Sequence, residues 1–214
     1  HLARSAQARL VLVGRAALPP RAQWDAMLQD HALSAAVVQR IRLVRSLEAA
    51  GAQVLPLAAD VTEPAAMRRV LTETQKHFGA LHGVLHTAGV LDDGPLQLKD
   101  EAAVRAVLAP KVQGTIALCS ALDAAAKDAA MRPAFVALFS SISAFAGLAG
   151  QFDYAAANAF MDAYAQQRAD HPHTQTIAIA WGQWQDVGMA AALARRLGMG
   201  EIDIDALLAH AQIH

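Results

Sequence analysis

The stretch FSSISAFAGLAGQFDYAAANAFMDA, residues 139–163, predicts the end of a buried strand, a loop of small residues and then a helix. It places Ser141 thirteen residues before Tyr154, and Asn158 one helical turn after the tyrosine. A hydroxyl beside a phenol can polarise a ketone, because one group holds the carbonyl oxygen while the other gives a proton. Taken singly, each residue also fits an ordinary structural role, since serines satisfy backbone groups at strand ends and helical tyrosines commonly pack.

Five short apolar runs, rich in β-branched residues, predict the buried strands of a parallel sheet. They are Leu10–Val13, Gln53–Leu57, Leu81–His86, Phe135–Phe139 and Thr176–Ala180. Helical patterning lies between them, at about Ala22–Ala50, Glu63–Phe78, Lys99–Ala126 and Phe152–Ala169. This alternation predicts a Rossmann-like α/β fold, a doubly wound parallel sheet with helices on both faces.

The composition describes a globular protein and argues against several classes of partner. Of the 214 residues, 55% are hydrophobic and 17% are charged, which suits a large buried core. The formal net charge of -1 gives no electrostatic reason to expect nucleic acid or an anionic membrane as partner. Cys119 is the single cysteine. An intrachain disulfide is therefore impossible, and we expect a cytoplasmic location.

We also expect neither a metal site nor a membrane span. The nine histidines show no arrangement typical of metal ligands. Residues 133–152 carry no formal charge and are long enough to cross a bilayer. Glycine, proline and serine residues interrupt this segment, however, and it divides into a strand, a loop and a helix start. The sequence therefore predicts a soluble protein.

A second motif, LAPKVQGT at residues 108–115, adds Lys111 to the serine, the tyrosine and the asparagine. The Ser–Tyr spacing matches the short-chain dehydrogenase/reductase superfamily, and the flanking residues resemble the ketoreductase domains of modular polyketide synthases. Ordinary members of the superfamily place a lysine four residues after the tyrosine, where this chain has Asn158. The ketoreductase domains take their lysine from an earlier helix, and that motif matches here. The resemblance implies a catalytic set of Tyr154, Ser141, Lys111 and Asn158, with the asparagine ordering the lysine and a proton-relay water.

The same resemblance implies NADPH as the cofactor. VLVGR ends a strand at Arg15, whose planar guanidinium can bind the oxygens of the adenosine 2′-phosphate in pairs. AADVTE resembles the segment that contacts adenine, HTAGV the loop under the nicotinamide ribose, and WGQW the segment that covers the nicotinamide. Small residues at a strand end also fit a plain turn. The implied cofactor residues are Arg15, Asp60, Val61, Ala88, Gly89, Trp181, Gly182 and Met189.

The resemblance extends to the substrate and its stereochemistry. Leu91, Asp92 and Asp93 follow HTAGV directly, and an LDD motif there marks ketoreductases that form the D-configured (B-type) alcohol. Residues 144–153 contain no tryptophan, which the opposite class carries. Without the resemblance, the two aspartates indicate only a polar turn. The implied substrate is a β-ketoacyl thioester on the phosphopantetheine arm of an acyl carrier protein, and the implied neighbours are synthase domains, including a structural reductase subdomain.

The first strand and glycine-rich turn of a dinucleotide-binding fold are absent from this sequence. In the usual strand order 3-2-1-4-5, that strand separates Leu10–Val13 from Leu81–His86. We therefore expect these two strands to lack a common neighbour and to leave backbone groups without partners. We interpret residues 1–214 as a catalytic ketoreductase subdomain that is incomplete at its N-terminus, with a lid at about residues 188–208.

Two other functions remain open at this stage. One is a free-standing short-chain reductase of a diffusible ketone, which would normally keep its lysine after the tyrosine. The other is a non-catalytic, structural reductase-like domain, which generally loses the catalytic set. The presence of all four catalytic residues favours the ketoreductase interpretation.

Overall fold

Two parallel sheets form the frame of the molecule in the computed structural model, which describes residues 1–29 and 34–182. The first sheet contains β1 (Arg9–Gly14) and β2 (Gln53–Ala58). The second contains β3 (Gly83–His86), β4 (Phe135–Ser141) and β5 (Gln175–Trp181), with β4 in the centre. All neighbouring strands run parallel. The five strands lie where the apolar runs predicted them.

Eight α-helices accompany the strands in the described parts of the chain. They are α1 (Leu2–Ala6), α2 (Trp24–Gln29), α3 (Ala35–Ala49), α4 (Pro64–Phe78), α5 (Glu101–Lys111), α6 (Gln113–Ala125), α7 (Ser143–Ala146) and α8 (Phe152–Gln167). Short 3-10 turns cover Arg21–Gln23, Leu96–Leu98 and Ala129–Met131. Two of the predicted helical segments, Ala22–Ala50 and Lys99–Ala126, are each two separate α-helices.

The break between α5 and α6 has a local cause. Pro110 lies inside the last turn of α5 and has no N–H to donate to the preceding turn. Val112, with φ −88° and ψ −72°, separates the two helices, although its N–H still bonds to the Leu108 carbonyl at 2.8 Å. Lys111 therefore occupies the end of one helix instead of the middle of a long one.

Helices cover both faces of the strands, which confirms the predicted fold class. Val11 of β1 packs against the first core cluster, formed with residues of α4, α6 and α8. Its neighbours Leu10 and Leu12 pack against a second cluster that contains Trp24 and Ile41 of α2 and α3. Successive strand residues point to opposite faces, so each sheet face has its own helical layer.

The two sheets share a core but no backbone ladder joins β1 to β3 in the described residues. Val11 and Val84, one from each strand, pack against the same cluster. The strands also leave Val13 and Leu85 45% and 49% exposed. This separation of β1 from β3 is the arrangement expected from the sequence.

One apolar segment, Glu101–Ala125, is long enough to cross a membrane by length and composition, with a mean hydropathy of 1.2. It comprises α5 and α6, which pack against α8 and α4 respectively. Several of its side chains, including Val107 and Leu118, are buried in the protein. We therefore interpret it as a pair of core helices. Residues 133–152 contain β4, the short helix α7, a loop and the first residue of α8. The predicted strand and helix start are thus confirmed, whereas α7 lies in the segment predicted as a loop.

Candidate active site

The four residues of the predicted catalytic set lie where two helices meet the carboxyl end of β4. Ser141 ends β4 and Lys111 ends α5, while Tyr154 and Asn158 lie in the first two turns of α8. The helix α8 packs on both α5 and β4. Ser141 and Asn158 lie close enough to the Tyr154 side chain to influence its pKa, and Lys111 Nζ lies 5.6 Å from the centroid of the tyrosine ring. The structure thus brings all four residues together.

Lys111 is held in an almost fully buried position. Its side chain donates from Nζ to the Phe139 carbonyl at 2.7 Å and approaches Met161 Sδ at 3.7 Å. Burial penalises the ammonium form and lowers the lysine pKa to about 8, an effect that the Asp162 carboxylate partly opposes. A lysine with this pKa can both give and take a proton near neutral pH.

Tyr154 has a pKa raised above its ordinary value. Burial is the largest cause and the Asp93 charge adds to it, while the hydrogen bonds with Asn158 and Ser141 act in the opposite direction. Desolvation thus outweighs the other influences on this pKa. The phenol is therefore protonated at neutral pH and is suited to act as a proton donor.

The side chains beside the tyrosine leave hydrogen-bonding capacity available. The Ser143 N–H donates to Ser141 Oγ at 3.2 Å, so the Ser141 hydroxyl hydrogen remains free to donate. Asn158 Nδ2 donates to the Tyr154 carbonyl at 2.7 Å. Asn158 Oδ1 and Ser143 Oγ are buried and have no hydrogen-bond partner among the described residues. Because such atoms cost about 1–3 kcal/mol each, a water molecule or a bound ligand is the natural partner.

Three predicted cofactor residues follow the strands of the first sheet. Arg15 comes directly after β1 and is exposed, while Asp60 and Val61 come after β2. The Thr62 N–H and hydroxyl bond to Asp60 Oδ1 and lower the Asp60 pKa, with Arg15 as a further contributor. Val61 packs closely on α6, because a Cβ added at Gly114 would lie 2.7 Å from Val61 Cγ1. The guanidinium and the carboxylate therefore share one sheet edge.

The other predicted cofactor residues follow the strands of the second sheet. Ala88 and Gly89 come shortly after β3, and Trp181 and Gly182 lie at the end of β5. The Trp181 ring contacts the Phe139 ring, with centroids 5.3 Å apart. Met189 and the predicted lid at residues 188–208 lie outside the described residues.

The segment containing Leu91, Asp92 and Asp93 lies against the loop that precedes the tyrosine. Gln151 Nε2 donates to Asp93 Oδ2 at 2.8 Å. The Gly94 N–H donates to the Gly150 carbonyl at 3.0 Å. Asp92 is exposed and Leu91 is half-buried. The predicted stereocontrol segment is thus part of the wall beside Tyr154.

His86 is a further residue of the site, which the sequence analysis treated only as a strand residue. It ends β3, is buried, and has Nε2 3.1 Å from the Pro110 carbonyl. Burial, followed by the charge of Lys111, lowers the His86 pKa to about 4. The neutral ring can donate to that carbonyl and so fixes the end of α5 that carries Lys111. The only sequence feature that could have pointed to this contact is Pro110, which lies beside Lys111.

Comparisons with known proteins show the family of this chain. Residues 1–186 match the family model described as KR domain. The chain is 37% identical over 185 residues to the 6-methylsalicylic acid synthase of Aspergillus terreus, covering 86% of this chain and 10% of the synthase. It is 37% identical over 193 residues to polyketide synthase PksL of Bacillus subtilis, covering 88% of this chain and 4% of that protein. The chain thus spans a small part of these relatives.

A solved structure shares the fold over most of the chain. This structure, a ketoreductase domain from the bacillaene assembly line, has a TM-score of 0.71 and is 31% identical. The match covers 92% of this chain and 43% of that one.

Proposed function

The chain belongs to the KR domain family of ketone-reducing enzymes, and on that premise we propose that it reduces a β-ketoacyl thioester to a β-hydroxyacyl thioester with NADPH. The observation that carries the proposal is the meeting of Lys111, Ser141, Tyr154 and Asn158 at the ends of α5, β4 and α8. A structural domain has no need of a buried lysine beside a tyrosine and an asparagine with an unpartnered buried oxygen.

The first task of the site is to hold and protonate the ketone oxygen. Ser141 and Tyr154 each offer a hydroxyl hydrogen, and two donors at one oxygen stabilise the negative charge that develops there. The raised pKa keeps the phenol protonated, so Tyr154 has a proton to give as the alcohol forms. A nicotinamide bound at this site would supply the hydride that reduces the carbonyl carbon.

The second task is to return a proton to the tyrosine. Lys111, with a pKa of about 8, lies over the Tyr154 ring and exchanges protons readily near neutral pH. The buried Asn158 Oδ1 supports a proton-relay water between the lysine and solvent. This division makes Tyr154 the direct acid and Lys111 its source of protons.

The residues that follow the strands fit a phosphorylated nicotinamide cofactor. Arg15 presents an exposed guanidinium where a 2′-phosphate would bind, which favours NADPH over NADH. Asp60 is ionised and fixed by Thr62, with one carboxylate oxygen left for an adenine amino group. At the second sheet, the unpartnered Ser143 and Asn158 oxygens further support a bound ligand. Val61, Ala88, Gly89, Trp181, Gly182 and Met189 complete the proposed cofactor site.

We propose that the Leu91–Asp93 segment directs formation of the B-type product, the D-configured alcohol. Its position beside the loop before Tyr154 supports a role in guiding the substrate. The relatives are named as synthases. This supports a substrate that is attached to the phosphopantetheine arm of an acyl carrier protein. Neighbouring synthase domains, including a structural reductase subdomain, are the other proposed partners, and the proposed location is the cytoplasm.

The proposal is tested with the full-length protein, a β-ketoacyl pantetheine thioester and NADPH. We expect NADPH oxidation and a D-configured product by chiral chromatography. NADH should be used at least about 10-fold less efficiently, because it lacks the phosphate that Arg15 binds. A folded protein that oxidises no NADPH would overturn the function, and an L-configured product would overturn the stereochemical assignment alone.

A further inference from the structure

A buried ion pair outside the four-residue set joins the segment after β3 to the first turn of α8. Lys99 Nζ donates to Asp153 Oδ2, and the two side chains are only 6% and 1% exposed. Charges buried to this extent have lost most of their hydration, so each depends on the other for compensation. Lys99 Nζ also lies 5.6 Å from the centroid of the Phe152 ring.

Asp153 occupies the position immediately before the proposed catalytic tyrosine. Its second oxygen, Oδ1, accepts a hydrogen bond from the Tyr154 N–H at 2.9 Å. The N-cap residue of α8, Gln151, makes no side-chain capping bond. The Asp153 carboxylate therefore satisfies a backbone donor in the first helical turn, where a negative charge also interacts favourably with the helix dipole. One carboxylate thus bonds both to Lys99 and to the backbone of the tyrosine.

The same two segments are tied at further points. The Gly94 N–H bonds to the Gly150 carbonyl, and Gln151 Nε2 bonds to Asp93. Gly150 has a φ of 78°, and a Cβ there would lie 3.4 Å from the Gly94 nitrogen. A glycine is therefore needed for this close approach. Residues 93–99 consequently form a support on which the start of α8 rests.

We propose that Lys99 and Asp153 are positioning residues of the reductase site. Their ion pair fixes the first turn of α8, and thereby the distance from the Tyr154 hydroxyl to Ser141, while holding the Leu91–Asp93 segment against the same turn. The inference rests on the proposed function of Tyr154. Misplacement of a reacting group by about 1 Å can cost about 100-fold in rate, so a pair acting only through helix geometry can strongly affect turnover.

A second ion pair on the same helix provides the matched control. Arg168, which follows the last turn of α8, makes two hydrogen bonds to Asp123 of α6. It lies fourteen residues after Tyr154, about 21 Å along a helix. Loss of this pair removes an ion pair from α8 without touching its first turn. Arg168→Met therefore separates a stability effect from a positioning effect.

The test compares Lys99→Met, Arg168→Met and the unchanged sequence in the full-length protein. Two quantities are measured: the rate of thioester reduction, and hydrogen–deuterium exchange of the backbone amides of residues 150–158. We expect Lys99→Met to lower kcat at least about 10-fold, with the KM for NADPH little changed. We also expect it to speed exchange in that segment. Arg168→Met should leave both quantities as they are, even if it lowers the Tm.

If Lys99→Met does not fold, the double variant Lys99→Met/Asp153→Asn replaces it, because it leaves no unpaired buried charge. The same two results are expected of it. Unchanged kcat and exchange in the folded variant would overturn the proposal, as would losses no larger than those of Arg168→Met. If the unchanged protein reduces no thioester, the proposed function fails, and the exchange comparison alone decides the positioning role.

Discussion

The two sheets of this molecule present their functional residues in opposite ways. At the second sheet, Lys111 is 2% and Asn158 0% exposed, and each makes a hydrogen bond of 2.7 Å to a backbone carbonyl. At the first sheet, Arg15 stands exposed at the end of β1. Proton transfer benefits from a desolvated and rigid site, whereas binding a diffusing phosphate needs an accessible cation. Under the proposed function, the chemistry at the second sheet and the cofactor recognition at the first are separate tasks that can be altered independently.

After substitution of the tyrosine itself, the largest effect is expected from Lys111→Met, which removes the buried ammonium at similar side-chain length. We expect kcat to fall about 100-fold because the tyrosine loses its source of protons, within the range typical of general acid–base groups. The KM for NADPH should change little, since Arg15 is untouched. Steady-state kinetics on the folded variant measure both, and an unchanged kcat would remove Lys111 from the mechanism.

The buried histidine makes the second sheet sensitive to acid. The folded-state pKa of His86 is about 4, below its ordinary value of 6.5. Between these values the unfolded chain binds a proton that the folded chain does not, so stability falls as the pH drops from 6.5 to 4. The shift corresponds to about 3 kcal/mol.

Hydrogen exchange of the protected β4 amides measures this loss in the full-length protein. His86→Gln should show a pH dependence weaker by about the same 3 kcal/mol over this range. If both proteins lose protection in parallel, the histidine is not the titrating group.

A smaller effect is expected at the contact between Gly114 of α6 and Val61, which follows β2. A Cβ added at Gly114 would lie 2.7 Å from Val61 Cγ1, so Gly114→Ala forces the valine or α6 to move. Overpacking of this kind costs about 1–3 kcal/mol. We expect a lower Tm and a raised KM for NADPH with kcat nearly unchanged. Gly14→Ala, which has open space around the added Cβ, is the steric control.

The smallest effect is expected at the exposed cation. Arg15→Gln should raise the KM for NADPH about 10-fold and leave kcat and the KM for NADH nearly unchanged, because the lost interaction is a charge-assisted bond to one phosphate. A parallel rise in the KM for both cofactors would mean that Arg15 does not recognise the 2′-phosphate.

Local sequence patterns predicted the strands and the closeness of Ser141, Tyr154 and Asn158 well, and the reason is physical. Apolar β-branched runs form buried parallel strands in many contexts, and the spacing from Ser141 to Asn158 is set within one strand–loop–helix unit. The break at Val112 was missed because helical periodicity continues through Pro110.

Local sequence patterns could not predict the contacts between distant segments. Lys99 and Asp153 are 54 residues apart, and His86 and Pro110 are 24 residues apart. No periodicity relates such residues, and their chemistry alone suggests many other partners. Only the packing of α5 and α8 around β4 makes these pairs specific.

The most direct test of the account is Tyr154→Phe in the full-length protein, which removes one oxygen atom and keeps the ring. We expect kcat for the β-ketoacyl thioester to fall about 1,000-fold, within the range typical of a general acid, while the Tm and the KM for NADPH stay close to those of the unchanged protein. Turnover at the normal rate by the folded variant would contradict the assignment of Tyr154 as the proton donor.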